Sequence, residues 1–124
     1  MLALPRLISV VDDDAGVRAA LGNLIRSLGL TAALFATPEA FLQSPLLAHT
    51  ACLISDVELP NMSGFALYES LRAAGHEMPV IFMTAASDEG FRERAAQMGA
   101  AALFEKPFLP DAMIGSIAHA LLTP

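Results

Sequence analysis

Five short apolar runs alternate with longer amphipathic segments along this chain of 124 residues. The runs have the length of β-strands and lie at 7–11, 31–35, 51–55, 79–83 and 101–105. LISVV at 7–11 is apolar apart from Ser9, which is typical of a strand buried on both faces. TAALF at 31–35 is less β-branched and is expected at the sheet edge. This alternation predicts an α/β fold, a parallel sheet with right-handed crossovers and helices on both faces, and leaves the strand order open.

Capping residues and glycines predict where the helices begin and end. Residues that suit N-caps precede three segments, at Asp14, Thr37 and Ser63. Glycines that can end a helix follow three segments, at Gly29, Gly75 and Gly99. The predicted helices cover about 15–28, 38–43, 64–74 and 88–98, and a last one starts at Pro110. Helical spacing places Leu28 and Ala118 among their core-facing residues.

Composition excludes several classes of function. The length fits one domain over 1–124, and the net charge of −6 argues against direct nucleic-acid binding. Cys52 is the single cysteine, so no internal disulfide can form, and we expect it in the core. No run approaches the roughly 18 apolar residues of a membrane span. The start, MLALPRLISVV, lacks the pattern of a secretory signal, so we expect a cytoplasmic protein with no membrane association.

Polar groups follow four of the predicted strands. They are Asp12 and Asp13 after LISVV, Asp56 after CLIS, Thr84 after VIFM, and Lys106, the chain's single lysine, after ALFE. If these strands are parallel neighbours, all five groups meet at the carboxyl edge of the sheet, where open α/β sheets bind ligands. Three carboxylates, a hydroxyl and an ammonium make a site for a divalent metal and a phosphoryl group.

Each of these residues also has a plainer interpretation. The aspartate run can serve only to cap the following helix and favour its dipole. Asp56 can be a turn residue, Thr84 a cap and Lys106 a solvated charge. As a set at four strand ends, they point instead to Mg²⁺ held by oxygen ligands, with Asp56 as the nucleophile that accepts a phosphoryl group. Lys106 then offsets negative charge and Thr84 donates to a phosphoryl oxygen.

Four motifs together resemble the receiver (response regulator) domains of bacterial two-component signalling. They are VVDDD at 10–14, SDVELPNMSG at 55–64, MTA at 83–85 and EKPF at 105–108. The resemblance covers essentially the whole chain. EKPF and DVELPNMSG look most like the subgroup of the nitrogen-fixation regulator, whose receivers usually precede a DNA-binding domain.

The resemblance implies a flavodoxin-like receiver fold with strand order 2-1-3-4-5. It implies that Asp56 accepts phosphate from a histidine kinase or phosphotransfer protein. It further implies that Mg²⁺ is held by Asp12, Asp13, Asp56 and the backbone carbonyl of Glu58. The phosphoryl oxygens would contact Thr84 and Lys106, and the Lys106–Pro107 bond is commonly cis in such domains.

The chain departs from the family at the residue three positions before the lysine. An aromatic switch residue is common there, whereas this chain has Leu103 followed by Phe104. Since neighbouring strand residues face opposite sides of a sheet, we expect Phe104 to point elsewhere and the switch at Leu103 to be smaller. The family's output face corresponds to about 87–122, with Leu103, Arg92 and Arg94 as candidate contacts. We expect a phosphorylation-dependent homodimer through this face.

Three other functions compete with a signalling receiver that is not an enzyme beyond its own phosphorylation and slow dephosphorylation. A hydrolase with an aspartate nucleophile would need a second aspartate two residues later, where Glu58 stands. A flavodoxin-like cofactor binder would want a glycine- or hydroxyl-rich loop after the first strand. An interaction module independent of phosphorylation stays open. Glu58 can tune hydrolysis of an acyl phosphate or be a surface residue, and the three histidines are expected to be neither ligands nor bases.

Overall fold

The computed structural model describes residues 6–122 of the chain. Residues 1–5 and 123–124 belong to the predicted domain and lie outside the described residues. Of the start MLALPRLISVV, the first five residues lie outside them, and LISVV is described. Five strands are present: β1 Leu7–Val11, β2 Thr31–Phe35, β3 Thr50–Asp56, β4 Val80–Thr84 and β5 Ala102–Glu105. The α-helices are α1 Ala15–Ser27, α2 Pro38–Leu42, α3 Gly64–Ala73, α4 Glu89–Gln97 and α5 Pro110–Leu122.

The strands form one parallel sheet in the order β2-β1-β3-β4-β5. The fold class and the strand order implied by the family resemblance are therefore confirmed. β2 lies at an edge, as its composition predicted. Between β1 and its neighbours, Val11 pairs with both Phe35 and Ser55. This register brings the ends of β1 and β3 side by side at the same edge.

Two apolar cores lie on the two faces of the sheet. Alternate residues of β4 separate them, since Phe82 packs in one core and Ile81 in the other. Helices α2, α3 and α4 contribute to the first core, and α1 and α5 contribute to the second. Cys52 is fully buried in the second core, as predicted. The doubly wound arrangement holds the central strands rigidly from both sides, so their carboxyl ends have fixed positions.

The predicted capping residues begin the helices. Asp14 Oδ1 accepts hydrogen bonds from the amides of Gly16 and Val17 at 2.8 and 3.1 Å. Thr37 and Ser63 cap α2 and α3 in the same way, each at 3.1 Å. Side-chain oxygens thus satisfy amides that the first helical turn leaves unpaired.

Two predicted core positions and one unpredicted element differ from the expectation. Leu28 is 37% exposed because α1 ends at Ser27 and the chain leaves the helical period. Ala118 is exposed, and Ala120 takes the inner position on α5. A short 3₁₀ helix, Leu47–His49, precedes β3. Within residues 6–122, no helix is long and apolar enough to cross a membrane.

The loop after β3 closes tightly under the strand end. The Val57 amide donates to Met83 O and the Gly64 amide donates to Val57 O, both at 2.8 Å. A Cβ on Gly64 would lie 2.2 Å from the main-chain oxygen of Asp56. Only a glycine therefore lets α3 start this close to the end of β3.

We predict that Gly64→Ala destabilises the protein by about 1–3 kcal/mol, the usual cost of forcing extra atoms into a packed site. The matched control is Gly115→Ala, because Gly115 is exposed on α5 and a Cβ there meets nothing within 4 Å. That change should stabilise the helix by about 0.5–1 kcal/mol. Urea unfolding of both variants measures the difference, and an equal effect of the two substitutions would contradict the tight approach.

Candidate functional site

Three aspartates meet at the carboxyl edge of the sheet. One carboxylate oxygen from each of Asp12, Asp13 and Asp56 lies within 4.8 Å of the other two. Asp12 is fully buried and Asp56 is 5% exposed, whereas Asp13 is exposed. Asp12 and Asp13 follow β1, and Asp56 is the last residue of β3, the neighbouring strand. The sheet register therefore produces the cluster that the sequence predicted.

Lys106 bridges the two buried carboxylates. Its Nζ lies 2.9 Å from Asp12 Oδ2 and 2.9 Å from Asp56 Oδ2. Its side chain is 18% exposed, so its ammonium reaches the cluster from the rim of the site. Lys106 follows β5, and its amide donates to Thr84 O at 2.8 Å. The ammonium thereby links the carboxyl ends of β1, β3 and β5.

The two buried carboxylates differ in how well they are satisfied. Asp56 Oδ1 accepts from the Glu58 amide at 3.1 Å, and Asp56 Oδ2 accepts from Lys106 at 2.9 Å. Asp12 Oδ1 accepts from the Asp14 amide at 2.8 Å. Asp12 Oδ2 is close to Lys106, yet their alignment is outside hydrogen-bond geometry, and the atom has no hydrogen-bond partner among residues 6–122. We regard the contact as an ion pair only, which leaves a buried anionic oxygen available.

This donor set fits a hard divalent cation. Mg²⁺ prefers oxygen ligands and is commonly bound through one or two carboxylates. The exposed carboxylate of Asp13 gives a cation an approach from solvent, and Asp12 Oδ2 adds a buried oxygen with no hydrogen-bond partner among the described residues. The negative charge of the three aspartates exceeds the single positive charge of Lys106. The cluster can therefore bind a metal cation.

Burial governs the protonation of the site. It raises the pKa of Asp56 above its usual 3.8, although the hydrogen bonds from Lys106 and the Glu58 amide act in the opposite direction. For Lys106 burial lowers the pKa, but the close contacts and negative charges of the Asp12 and Asp56 carboxylates outweigh it and leave the pKa raised. Because the folded pKa of Asp56 is raised, its contribution to stability is greatest below pH 3.8 and declines as the pH rises through the folded value.

Thr84 and Glu58 flank the cluster. Thr84 ends β4, is 1% exposed, and its hydroxyl oxygen accepts from the Ala86 amide at 3.0 Å. Glu58 contacts Asp56 through its backbone amide, and its side chain is exposed. The Lys106–Pro107 bond is cis, as the family resemblance implied. All the predicted site residues thus lie on the strands and loops of one edge.

One further residue contacts the site, and we did not single it out in the sequence. Arg18, on α1, donates from Nη1 to the main-chain oxygen of Asp12 at 2.7 Å. Its signal in the sequence is its place four residues after the Asp14 cap, which turns its side chain back toward the loop that carries the aspartates.

Leu103 and Phe104 face opposite sides of the sheet, as expected. Leu103 packs against the core of α2, α3 and α4, and Phe104 against the core of α1 and α5. Leu103 also lines a cavity of about 190 Å³ between β5 and α4. Arg92 borders the same cavity and pairs with Glu105 at 3.0 Å.

An open, largely apolar groove of about 540 Å³ runs beside Lys106. Val17 and Ala20 of α1 line one side of it, and Pro107 and Phe108 line the other. The groove adjoins the acidic cluster, because Asp14 and Lys106 are also among its walls.

Comparison with known proteins gives a consistent result for sequence and structure. The family model for the response regulator receiver domain matches residues 8–118. Response regulator protein TodT of Pseudomonas putida is 36% identical over 115 residues, which are 93% of this chain and 51% of TodT. Transcriptional regulatory protein FixJ of Azorhizobium caulinodans is 36% identical over 114 residues, 92% of this chain and 54% of FixJ. The chain spans about half the length of these relatives.

Solved structures give the same result for the fold. The response regulator StyR has a TM-score of 0.88 and 35% identity, with 96% of this chain and 60% of StyR covered. FixJ-N has a TM-score of 0.85 and 27% identity, with 98% of both chains covered. The BeF3-activated DrrB receiver domain has a TM-score of 0.84 and 26% identity, covering 96% of this chain and 99% of DrrB.

We predict that Lys106→Met lowers the free energy of unfolding by about 2–3 kcal/mol in the absence of divalent cations. Loss of the ammonium leaves the buried carboxylates unpaired, and the estimate is below the full cost of breaking a buried pair because the lysine is partly exposed. The matched control is Arg92→Met, which breaks an ion pair between side chains 47% and 42% exposed. That change should cost less than about 1 kcal/mol. Denaturant unfolding measures both changes. Similar losses of unfolding free energy in the two variants would show that Lys106 stabilises the fold no more than a surface ion pair does.

Proposed function

Because the chain belongs to the response regulator receiver family, we propose that it is the phosphoacceptor domain of a two-component phosphorelay. In this proposal Asp56 takes a phosphoryl group from a histidine kinase or a phosphotransfer protein. The observation that carries it is the cluster of Asp12, Asp13 and Asp56 at one sheet edge. The Lys106 ammonium lies 2.9 Å from the carboxylate of Asp56, the proposed acceptor. The domain then switches an output surface.

The transfer is an exchange of one bond for another. A carboxylate oxygen of Asp56 forms a bond to phosphorus as the bond between phosphorus and the donor's imidazole nitrogen breaks. The nitrogen keeps the electron pair of the broken bond, and the imidazole leaves in its neutral form because its other ring nitrogen carries a proton. Lys106 and Thr84 donate hydrogen bonds to the phosphoryl oxygens, where negative charge accumulates. Asp56 is nearly buried, so few water molecules compete with the donor.

We propose Mg²⁺ as the cofactor, held by Asp12, Asp13, Asp56 and the backbone carbonyl of Glu58. Bound there, Mg²⁺ would supply the positive charge that offsets negative charge on the transferring oxygens. Asp12 supports this role through its buried Oδ2, which has no hydrogen-bond partner among the described residues. Asp13 supports it through an exposed carboxylate within reach of the other two.

The alternatives have weaker support at this site. A hydrolase would need an acid–base carboxylate aimed at the leaving group, and Glu58 instead has an exposed side chain. A cofactor phosphate at the β1 end would meet Asp12 and Asp13, whose charge repels it. We therefore propose that the chain is not an enzyme beyond promoting its own phosphorylation and slow dephosphorylation. It would act in the cytoplasm, where a kinase is charged by ATP.

The groove beside Lys106 offers a place for the donor protein. Its apolar walls, Val17, Ala20 and Phe108, adjoin the acidic cluster. A helix of a kinase or phosphotransfer protein could bury apolar residues there and bring its histidine to Asp56. The net charge of −6 gives no support to a direct contact of this chain with nucleic acid.

We predict that acetyl phosphate with Mg²⁺ adds one phosphoryl group to the protein, and that Asp56→Asn prevents it. The amide cannot act as the nucleophile, whereas Asp111→Asn, at the exposed start of α5, should leave the reaction intact. Intact-mass measurement and lability of the adduct to hydroxylamine are the readouts. Modification of Asp56→Asn to the wild-type extent would move the acceptor to another residue.

We propose that the output surface is formed by α4, β5 and α5. Leu103 and Arg92 line its small cavity, and Arg94 lies over the Phe65 ring at 4.9 Å while pairing with Glu69. Phosphate at Asp56 would attract the Thr84 hydroxyl away from the Ala86 amide, and the loop after β4 would follow. The size of this shift is limited by the difference in phosphate affinity between the two states.

We predict that beryllofluoride with Mg²⁺ changes amide exchange across residues 85–110 and promotes a weak homodimer through this surface. The Leu103 side chain is smaller than an aromatic one, so a change of its rotamer alters less of the surface. The change in amide exchange should therefore be modest. Sedimentation with and without beryllofluoride measures the mass, and Asp56→Asn is the control that should not respond. An unchanged mass in sedimentation would contradict the proposed homodimer. Unchanged exchange as well would remove the switch and favour an interaction module that does not depend on phosphorylation.

A further inference from the structure

Arg18 uses its guanidinium in an unexpected way. The residue lies on α1, half-buried, next to a loop with three successive aspartates. Even so, none of the carboxylates in residues 6–122 lies within ion-pair distance of it, and its Nη1 donates to the neutral main-chain oxygen of Asp12 at 2.7 Å. The geometry points to Arg18 as a positioning residue that fixes the direction of the Asp12–Asp13 peptide and thereby the metal affinity of the cluster, an inference that rests on the proposed function.

The loop needs this contact because Asp13 has no anchor of its own. Asp12 is anchored by two hydrogen bonds, since its amide donates to Phe35 O at 3.1 Å and its Oδ1 accepts from the Asp14 amide. Its Oδ2 forms an ion pair with Lys106. The Asp13 side chain, in contrast, makes no hydrogen bond or ion pair with any described residue. Its location depends on the backbone on either side.

The planarity of the peptide group carries the effect. The oxygen of Asp12 and the Cα of Asp13 lie in the same peptide plane. A guanidinium that holds this oxygen therefore fixes the orientation of the peptide plane and the position of the Asp13 Cα. Arg18 is held in turn by its own helix, since its amide donates to Asp14 O at 3.0 Å. Asp14 begins the helix and belongs to the loop, so the cap and the guanidinium close the loop from both ends.

If Arg18 acts through its charge, its removal changes the cation affinity in one direction; if it acts by positioning the loop, its removal changes the affinity in the other. A positive charge next to a cation site weakens cation binding, so removing it would strengthen binding if Arg18 acted through charge. Removing it would weaken binding if Arg18 acts by holding the Asp12–Asp13 peptide. Residues that orient the groups around a metal typically change its affinity by about 10–100-fold when mutated. The sign of the change distinguishes the two accounts.

The experiment is a calorimetric titration of Mn²⁺ and Mg²⁺ into wild type, Arg18→Met, Arg26→Met and Asp13→Ala. Arg26 is the control for charge, because it lies exposed on the same helix, and its guanidinium donates to the Asn23 side chain at 3.0 Å. We expect roughly tenfold weaker binding in Arg18→Met, wild-type binding in Arg26→Met, and loss of binding in Asp13→Ala. Phosphorylation of Arg18→Met should need more metal, with the maximal rate near that of wild type.

A second measurement needs no metal. Amide exchange of the metal-free protein should be faster at Asp14 in Arg18→Met, because its bond to Asp12 Oδ1 depends on the same loop. If Arg18→Met is too unstable to titrate, Arg18→Lys replaces it, since it keeps the charge without the planar fork and isolates the lost geometry. Wild-type affinity in that variant would overturn the inference.

Three results separate this inference from the proposed function. Unchanged or tighter metal binding in Arg18→Met overturns the inference and leaves the proposed function in place. Weaker binding in Arg18→Met, in a protein that acetyl phosphate does not modify, supports the inference and overturns the phosphoacceptor proposal. Absence of metal binding in the wild type overturns both.

Discussion

The ammonium of Lys106 is the contact on which the carboxyl edge of this protein depends. It lies 2.9 Å from a carboxylate oxygen of each of Asp12 and Asp56, both nearly or fully buried. Two buried anions without a cation would cost several kcal/mol of stability. Since the three residues belong to the ends of three different strands, the ion pairs also set how those ends sit together. The same contact holds the proposed acceptor carboxylate in place before any ligand arrives.

The rest of the fold serves to keep that edge rigid. The central strands β1, β3 and β4 are covered by helices on both faces, and the charged groups of the site lie where the strands stop. Gly64 lets the loop after Asp56 turn directly under the strand, and Arg18 holds the loop after β1. A rigid edge with an excess of negative charge suits a site that waits for a cation and a phosphoryl group.

Much of this arrangement could be predicted from the sequence, because alternation and caps are local signals. The apolar runs predicted all five strands to within about a residue at most ends, and Asp14, Thr37 and Ser63 marked the helix starts. The predictions that proved wrong depended on tertiary contacts. Leu28 and Ala118 fit a helical period, but their exposure depends on where α1 ends and which side of α5 meets the sheet. The bridge made by Lys106 and the Arg18 contact need distances that spacing alone does not give. The roles proposed for the site residues stay predictions.

The most direct test of the central claim is a double-mutant cycle between Lys106 and Asp12. The free energies of unfolding of wild type, Lys106→Met, Asp12→Asn and the double variant would be measured without divalent cations. If the ammonium stabilises the buried carboxylate, the two changes should be non-additive by at least about 1 kcal/mol, because the second substitution removes a group that the first has already left unpaired. If the losses in the free energy of unfolding are additive, Lys106 does not stabilise the Asp12 carboxylate, and the central claim is contradicted.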